Sequence, residues 1–201
     1  MIRVLLADDQ ATVRGALAAL LKLEKDIDVV AEVSRADEVV SAAREKKPDV
    51  ALLDIEMPGG DGLAAAAGLR EALPSCRVLM LTTFGRPGYL KRAMEGGAVG
   101  FLTKDMPAAQ LASAIRRVMA GERVIDPQLA IDALSEGDNP LTERERDVLA
   151  AASSGAGIAE IASQLFLSPG TVRNYLSLAI QKLDAANRFE AARLAREKGW
   201  I

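Results

Sequence analysis

The chain has 201 residues, half of them hydrophobic, with 25 basic against 28 acidic side chains. That length allows one or two domains with their own cores, and no apolar run approaches the length of a membrane span. There is no histidine and a single cysteine, Cys76, which excludes a Ser/His/Asp triad, a His-ligated zinc and an internal disulfide, and fits a cytoplasmic location.

The N-terminal MIRVLLADD reads as a first strand, because its apolar run is short and acids follow at once. Further short apolar runs recur at Val29–Val33, Val50–Leu53, Val78–Leu81 and Val99–Leu102. Between them lie helical stripes such as Ala16, Leu17, Leu20 and Leu21, or Leu111, Ala114, Ile115 and Val118. Strand and helix thus alternate five times, which predicts an α/β, flavodoxin-like fold. Its five-stranded parallel sheet should have the order 2-1-3-4-5, with helices on both faces. This block, residues 1–121, holds 16 basic and 16 acidic side chains.

Residues 122–138 carry one basic and five acidic side chains and punctuation such as Pro127 and Gly137, and are expected to be an acidic linker. A short helix near Gln128–Leu134 fits within it. Residues 139–201, with eight basic and seven acidic side chains, read as helix throughout. Thr142 and Glu145 have the spacing of a capping box, and Ser153-Ser-Gly155 stops that helix. A short helix over Ile158–Leu165 follows. Ser168-Pro-Gly-Thr171 opens the next, with Ser168 at the N-cap and Pro169 first in the helix. Asn187 is suited to cap a fourth.

In an open parallel sheet, ligands sit beyond the carboxyl ends of the strands where strand order reverses. Asp8 and Asp9 follow the first strand and Asp54 ends the third, so three carboxylates should share one crevice. Like charges that close repel, and a cation is expected to neutralise them. Oxygen donors without Cys or His favour Mg²⁺, with the backbone carbonyl of Glu56 completing the protein ligands. Thr82 ends the fourth strand with a hydroxyl. Lys104 follows the fifth with a charge suited to a phosphoryl oxygen. Asp54 is then available as a nucleophile toward phosphorus. A lone Asp at a strand end is ordinarily a turn residue; the five-part constellation is what carries the chemistry.

The tracts LLADDQ, LLDIEMPGGDGL, LMLTTF and GFLTKD resemble the receiver domains of two-component response regulators over residues 1–121. The resemblance implies that Asp54 accepts a phosphoryl group from a sensor histidine kinase. Asp8 and Asp9 are then the acidic pair for Mg²⁺, and Thr82, Lys104 and the buried aromatic Phe101 respond to phosphorylation. Bulky Phe84 is expected to shield the acyl phosphate from water, leaving at most slow self-dephosphorylation. An aspartyl-phosphate phosphatase of the haloacid-dehalogenase type fits less well, because Asp8-Asp9-Gln10 lacks its Asp-x-Asp order. A regulator that ignores phosphate remains the other alternative.

The two central C-terminal helices have helix-turn-helix spacing. The inward stripe is Val172, Leu176 and Ile180; Thr171, Arg173, Asn174, Ser177 and Gln181 point outward. From the pattern alone, a protein-interaction module is as good a reading as DNA binding. The run LTERERDVLAAASSGAGIAEIASQLFLSPGTVRNYLSLAIQKLDAANRFEA resembles the LuxR-type helix-turn-helix of the NarL/FixJ regulators. That implies a recognition helix from Ser168 and a DNA-facing set of Ser168, Thr171, Val172, Arg173, Asn174, Ser177, Lys182 and Arg188. Arg173, Asn174 and Ser177 are the base-side candidates; Thr171, Lys182 and Arg188 are the phosphate candidates. The nearly neutral charge of the block means that a single module would bind double-stranded DNA poorly, and predicts a dimer on paired half-sites with binding that weakens steeply in salt. The resemblance implies that the homodimer forms on phosphorylation. LTTFGRPGYLKRA, GTVRNYLS and REKGW are similar to the DesR-like regulators of membrane-lipid desaturation.

Overall fold

The computed structural model describes residues 1–83, 85–135 and 139–201. The chain runs β1 (Ile2–Ala7), α1 (Ala11–Leu21), β2 (Ile27–Val33), α2 (Ala36–Lys46), β3 (Val50–Asp54), β4 (Glu56–Met57), β5 (Gly60–Asp61) and α3 (Gly62–Ala72). It continues through β6 (Arg77–Thr82), α4 (Pro87–Glu95), β7 (Gly100–Thr103), α5 (Ala108–Met119), β8 (Val124–Ile125) and α6 (Pro127–Ser135). Four helices end it: α7 (Glu143–Ser153), α8 (Ile158–Gln164), α9 (Pro169–Lys182) and α10 (Arg188–Glu197). Two compact units result, Met1–Gly85 with Leu90–Ile131, and Arg86–Tyr89 with Asp132–Ile201. Among the described residues no helix is long and apolar enough to cross a membrane.

The first unit is a parallel sheet in the order β2-β1-β3-β6-β7-β8. Its central strands are buried on both faces, which is why they read as continuous apolar runs rather than as alternations. Val4, Leu6, Leu52, Leu79 and Leu102 pack with Leu21, Leu111, Ile115 and Val118 of α1 and α5. Their strand neighbours Leu5, Leu53, Met80 and Phe101 are equally buried and, by the two-residue period, face the opposite side of the sheet. Helix α2 places Asp37 and Glu38 in its first turn and Arg44 and Lys46 in its last, the arrangement its dipole favours.

The five predicted strands stand in the predicted order, and the structure adds a sixth. Val124 N–H donates to Val99 carbonyl oxygen and Asp126 N–H to that of Phe101, both at 3.0 Å, so the start of the expected linker closes the β7 edge. Two residues carry no strand period of their own; the open ladder of β7 supplies the partner. The turn after Asp54 is also more ordered than its Pro/Gly content implies, forming the β4–β5 hairpin.

In the second unit, Val148, Leu149, Ile161, Val172, Leu176, Ala179, Ala191 and Trp200 form one core. The capping box closes: Thr142 Oγ1 accepts from Glu145 N–H, and Glu145 Oε2 accepts from Thr142 N–H at 2.7 Å. Ser168 caps α9 and Asn187 caps α10.

Candidate functional site

Asp8 and Asp9 come directly after β1 and Asp54 is the last residue of β3, its neighbour in the sheet. The ends of these two strands put one oxygen of each carboxylate within 4.8 Å of the others. Asp8 and Asp54 are buried; Asp9 is exposed. Gly62 makes room for the acceptor strand, because a Cβ there would collide with the Asp54 carbonyl oxygen. The Ile55 N–H donates to Asp54 Oδ1 at 2.7 Å, the Gln10 N–H to Asp8 Oδ1 at 2.9 Å, and Arg14 to the Asp8 carbonyl at 2.6 Å.

Lys104 is the cation of the group. Its side chain is 7% exposed, and Nζ lies 2.7 Å from Asp54 Oδ2 and 2.8 Å from Asp8 Oδ2. Its own N–H donates to the Thr82 carbonyl oxygen at 2.9 Å, tying β7 to β6 beside the acids. Three carboxylates therefore face one ammonium. Nζ and Asp8 Oδ2 attract as charges, yet neither completes an aligned hydrogen bond. Coordination capacity is left on the acids, and an all-oxygen donor set of this kind can hold a hard metal ion.

The charges show in the acid–base balance. Burial pushes the Asp54 carboxyl above its ordinary value; Lys104 opposes this, and Asp8 reinforces it. Burial pulls the Lys104 ammonium down, but the Asp54 and Asp8 carboxylates beside it outweigh that and the net shift is upward.

A cleft of about 180 Å³ opens onto Asp54, lined by Asp9, Gln10, Asp54, Glu56, Thr82 and Thr83. Thr82 is buried at the end of β6, and Phe101 is buried in β7. The predicted set Asp8, Asp9, Asp54, Glu56, Thr82 and Lys104 thus converges on one place. Phe84, the expected shield, lies outside the described residues. Gln10 and Thr83 were not anticipated; their adjacency to Asp9 and Thr82 was the available signal.

The DNA-facing set divides more sharply. Arg173, Asn174 and Ser177 are exposed on α9 at spacings that share a face. Ser168 Oγ accepts from the Thr171 N–H at 3.0 Å and pairs with the Thr171 hydroxyl at 2.8 Å. Val172 must be removed from the contact set: it is fully buried in the helical core, as its place in the apolar stripe demands. Lys182 Nζ is committed to Glu145 Oε2 at 2.7 Å. Arg188 donates to the Ala156 carbonyl at 3.1 Å and lies over the Phe189 ring.

Comparison with known proteins agrees with this architecture. Residues 4–116 match the response regulator receiver domain family, and residues 139–195 match the luxR family of bacterial regulatory proteins. The chain is 46% identical over 201 residues to the transcriptional regulatory protein DesR of Bacillus subtilis, covering all of both chains. It is 42% identical to the response regulator RamR of Streptomyces coelicolor, covering all of this chain and 98% of that one. Among solved structures, the response regulator ChrA of a heme-sensing two-component system is 34% identical with a TM-score of 0.59, covering 100% of this chain and 98% of that chain. The chain belongs to the NarL/FixJ-type response regulators, transcription regulators of two-component systems that join a receiver domain to a LuxR-type DNA-binding domain.

Proposed function

We propose that Asp54 is the phosphoryl acceptor, charged by a sensor histidine kinase, and that the resulting state binds double-stranded DNA as a homodimer. The carrying observation is the Asp54 carboxylate: 5% exposed, held against Lys104 and open to a cleft. Asp8, Asp9, Asp54 and the Glu56 carbonyl are the groups that would hold Mg²⁺. When bound, Mg²⁺ supplies charge neutralisation for the carboxylates and the phosphoryl oxygens.

The chain's own residues do the rest. An Asp54 oxygen attacks phosphorus as the P–N bond of the donor breaks. Lys104, already at Asp54 and Asp8, gains a phosphoryl oxygen as a further partner. The Thr82 hydroxyl turns to the same group. Because the Lys104 N–H is bonded to the Thr82 carbonyl oxygen, the ends of β6 and β7 move together. Phe101 follows, and the outer surface of α4, β7 and α5 changes; the faces of α1 and α5 are the other surface for pairing. Turnover on this reading is at most a slow hydrolysis of the acyl phosphate. Similarity to DesR-like regulators extends the proposal to genes of membrane-lipid desaturation in the cytoplasm of the host cell.

Incubation with acetyl phosphate and Mg²⁺ tests the central step. Intact mass should rise by one phosphoryl group and the chain should shift to dimer. Uptake that persists in Asp54→Asn, or that needs no Mg²⁺, would remove Asp54 or the cation from the mechanism.

A further inference from the structure

Phe166 is 95% exposed, the most exposed large apolar side chain among the described residues. It also stands at φ +55°, in the left-handed region. Among the described residues the other two non-glycine residues with positive φ are polar, Lys47 after α2 and Asp184 after α9. A bulky aromatic gains nothing from that conformation, and glycine or asparagine would adopt it with less strain. A buried ring could offset the strain through packing; this one packs on nothing. The left-handed backbone itself belongs to the C-terminal cap of α8, where Phe166 N–H donates to the Ser163 carbonyl and Leu167 N–H to that of Ala162. What fold stability does not account for is a fully exposed aromatic at a cap position that glycine or asparagine would fill with less strain, and that choice of residue points to a function.

The turn that carries the ring is fixed. Leu167 N–H donates to the Ala162 carbonyl at 2.8 Å and Leu165 N–H to that of Ile161 at 3.0 Å. Leu165 and Leu167, on either side, pack against the core of the second unit. The ring thus projects from a rigid α8–α9 turn, two residues before the Ser168 cap of α9. When the second helix of a helix-turn-helix enters the major groove, the turn leading into it passes along the sugar–phosphate wall of that groove. No acid stands between Ile161 and Leu183 to repel that wall.

We infer that Phe166 is a DNA contact whose ring packs on the deoxyribose face beside the groove that α9 enters. It is an apolar, sequence-independent contact, distinct from the polar set on α9. The inference rests on α9 being the DNA-reading helix, and the test separates the two.

The experiment measures binding of the full-length chain to a random-sequence DNA duplex and to duplexes selected from a random pool by the wild-type chain. Fluorescence anisotropy is read over a salt series. Phe166→Gly should unfold at a higher temperature, because the positive φ is relieved. It should nevertheless bind both probes more weakly by about five- to tenfold, with the slope of affinity against salt unchanged because no charge is lost. Phe166→Asn, which also tolerates this backbone, should lose affinity equally, and Phe166→Leu should keep part of it. Opposite signs in stability and affinity are the signature that a purely structural residue would not give. Wild-type affinity in both Phe166→Gly and Phe166→Asn, while Arg173→Ala is impaired, overturns the inference alone. Wild-type affinity in Arg173→Ala and Asn174→Ala as well overturns the reading of α9 on which it rests.

Discussion

Each unit buries a carboxylate against a lysine at 2.7 Å, Asp54 with Lys104 in one and Glu145 with Lys182 in the other. The contacts are alike and their settings are opposite. Glu145 is one charge with one cation, and it also accepts the N–H of Thr142 at the start of α7. Burial works against its ionised form, but Lys182 and Thr142 outweigh that, and its carboxyl sits below the ordinary value. Asp54 shares its lysine with Asp8 and has Asp9 beside it, and its carboxyl sits above the ordinary value. A satisfied buried pair fixes a structure. An unsatisfied cluster holds charge that a metal and a phosphoryl group can rearrange.

The largest effect should come from removing the shared cation. Lys104→Met leaves Asp8 and Asp54 buried without a positive partner. The first unit should lose about 3 kcal/mol in metal-free buffer. Hydrogen exchange of the β1 and β3 amides reads this loss directly, and Mg²⁺ should return a large part of it. An unchanged exchange rate without metal would mean that Lys104 does not hold the acids. Lys182→Met should cost less, about 2 kcal/mol: its side chain is already 34% exposed, and Glu145 keeps the Thr142 N–H. That loss should appear in the α7 and α9 amides and should not respond to Mg²⁺. If Lys182 is instead mainly a phosphate contact, stability will hold and the salt slope of DNA binding will fall.

These two pairs were not equally legible in the sequence. Asp8, Asp9, Asp54 and Lys104 follow or end strands, and a strand end in a parallel sheet has a known location whatever the side chains pack against. Glu145 was visible only as a capping partner, since capping is local. Its second partner, Lys182, depends on how α7 packs on α9, and no sequence period encodes that. The same limit hid β8, whose two residues become a strand only because β7 offers an open edge. Val172 shows the converse: the helical period gave its burial, and the resemblance assigned it to DNA.

Neutralising each acid alone should sharpen the contrast through its sign. Asp54→Asn removes one of three crowded carboxylates and should stabilise the first unit by about 1 kcal/mol in metal-free buffer. Glu145→Gln breaks a satisfied pair and should destabilise the second unit by about the same amount. Amide exchange in the two units checks both. Equal signs would show that the acids at Asp54 are as well compensated as Glu145.

The smallest effect is the pH dependence of those two differences. The folded-state pKa of Asp54 is raised above the ordinary 3.8, so its ionisation opposes folding at neutral pH, and that penalty fades as pH falls through the raised value. The gap between wild type and Asp54→Asn should therefore close from above as acid is added, before pH 3.8 is reached. The folded-state pKa of Glu145 is depressed below 4.5, so its contribution is complete above that pH and is lost as pH falls through the lowered value. The gap between wild type and Glu145→Gln should close only below pH 4.5. A metal-free acid titration of amide exchange would then see the Asp54 gap narrow first. If the Glu145 gap narrows first, Glu145 is the weakly compensated acid and the contrast between the units is inverted.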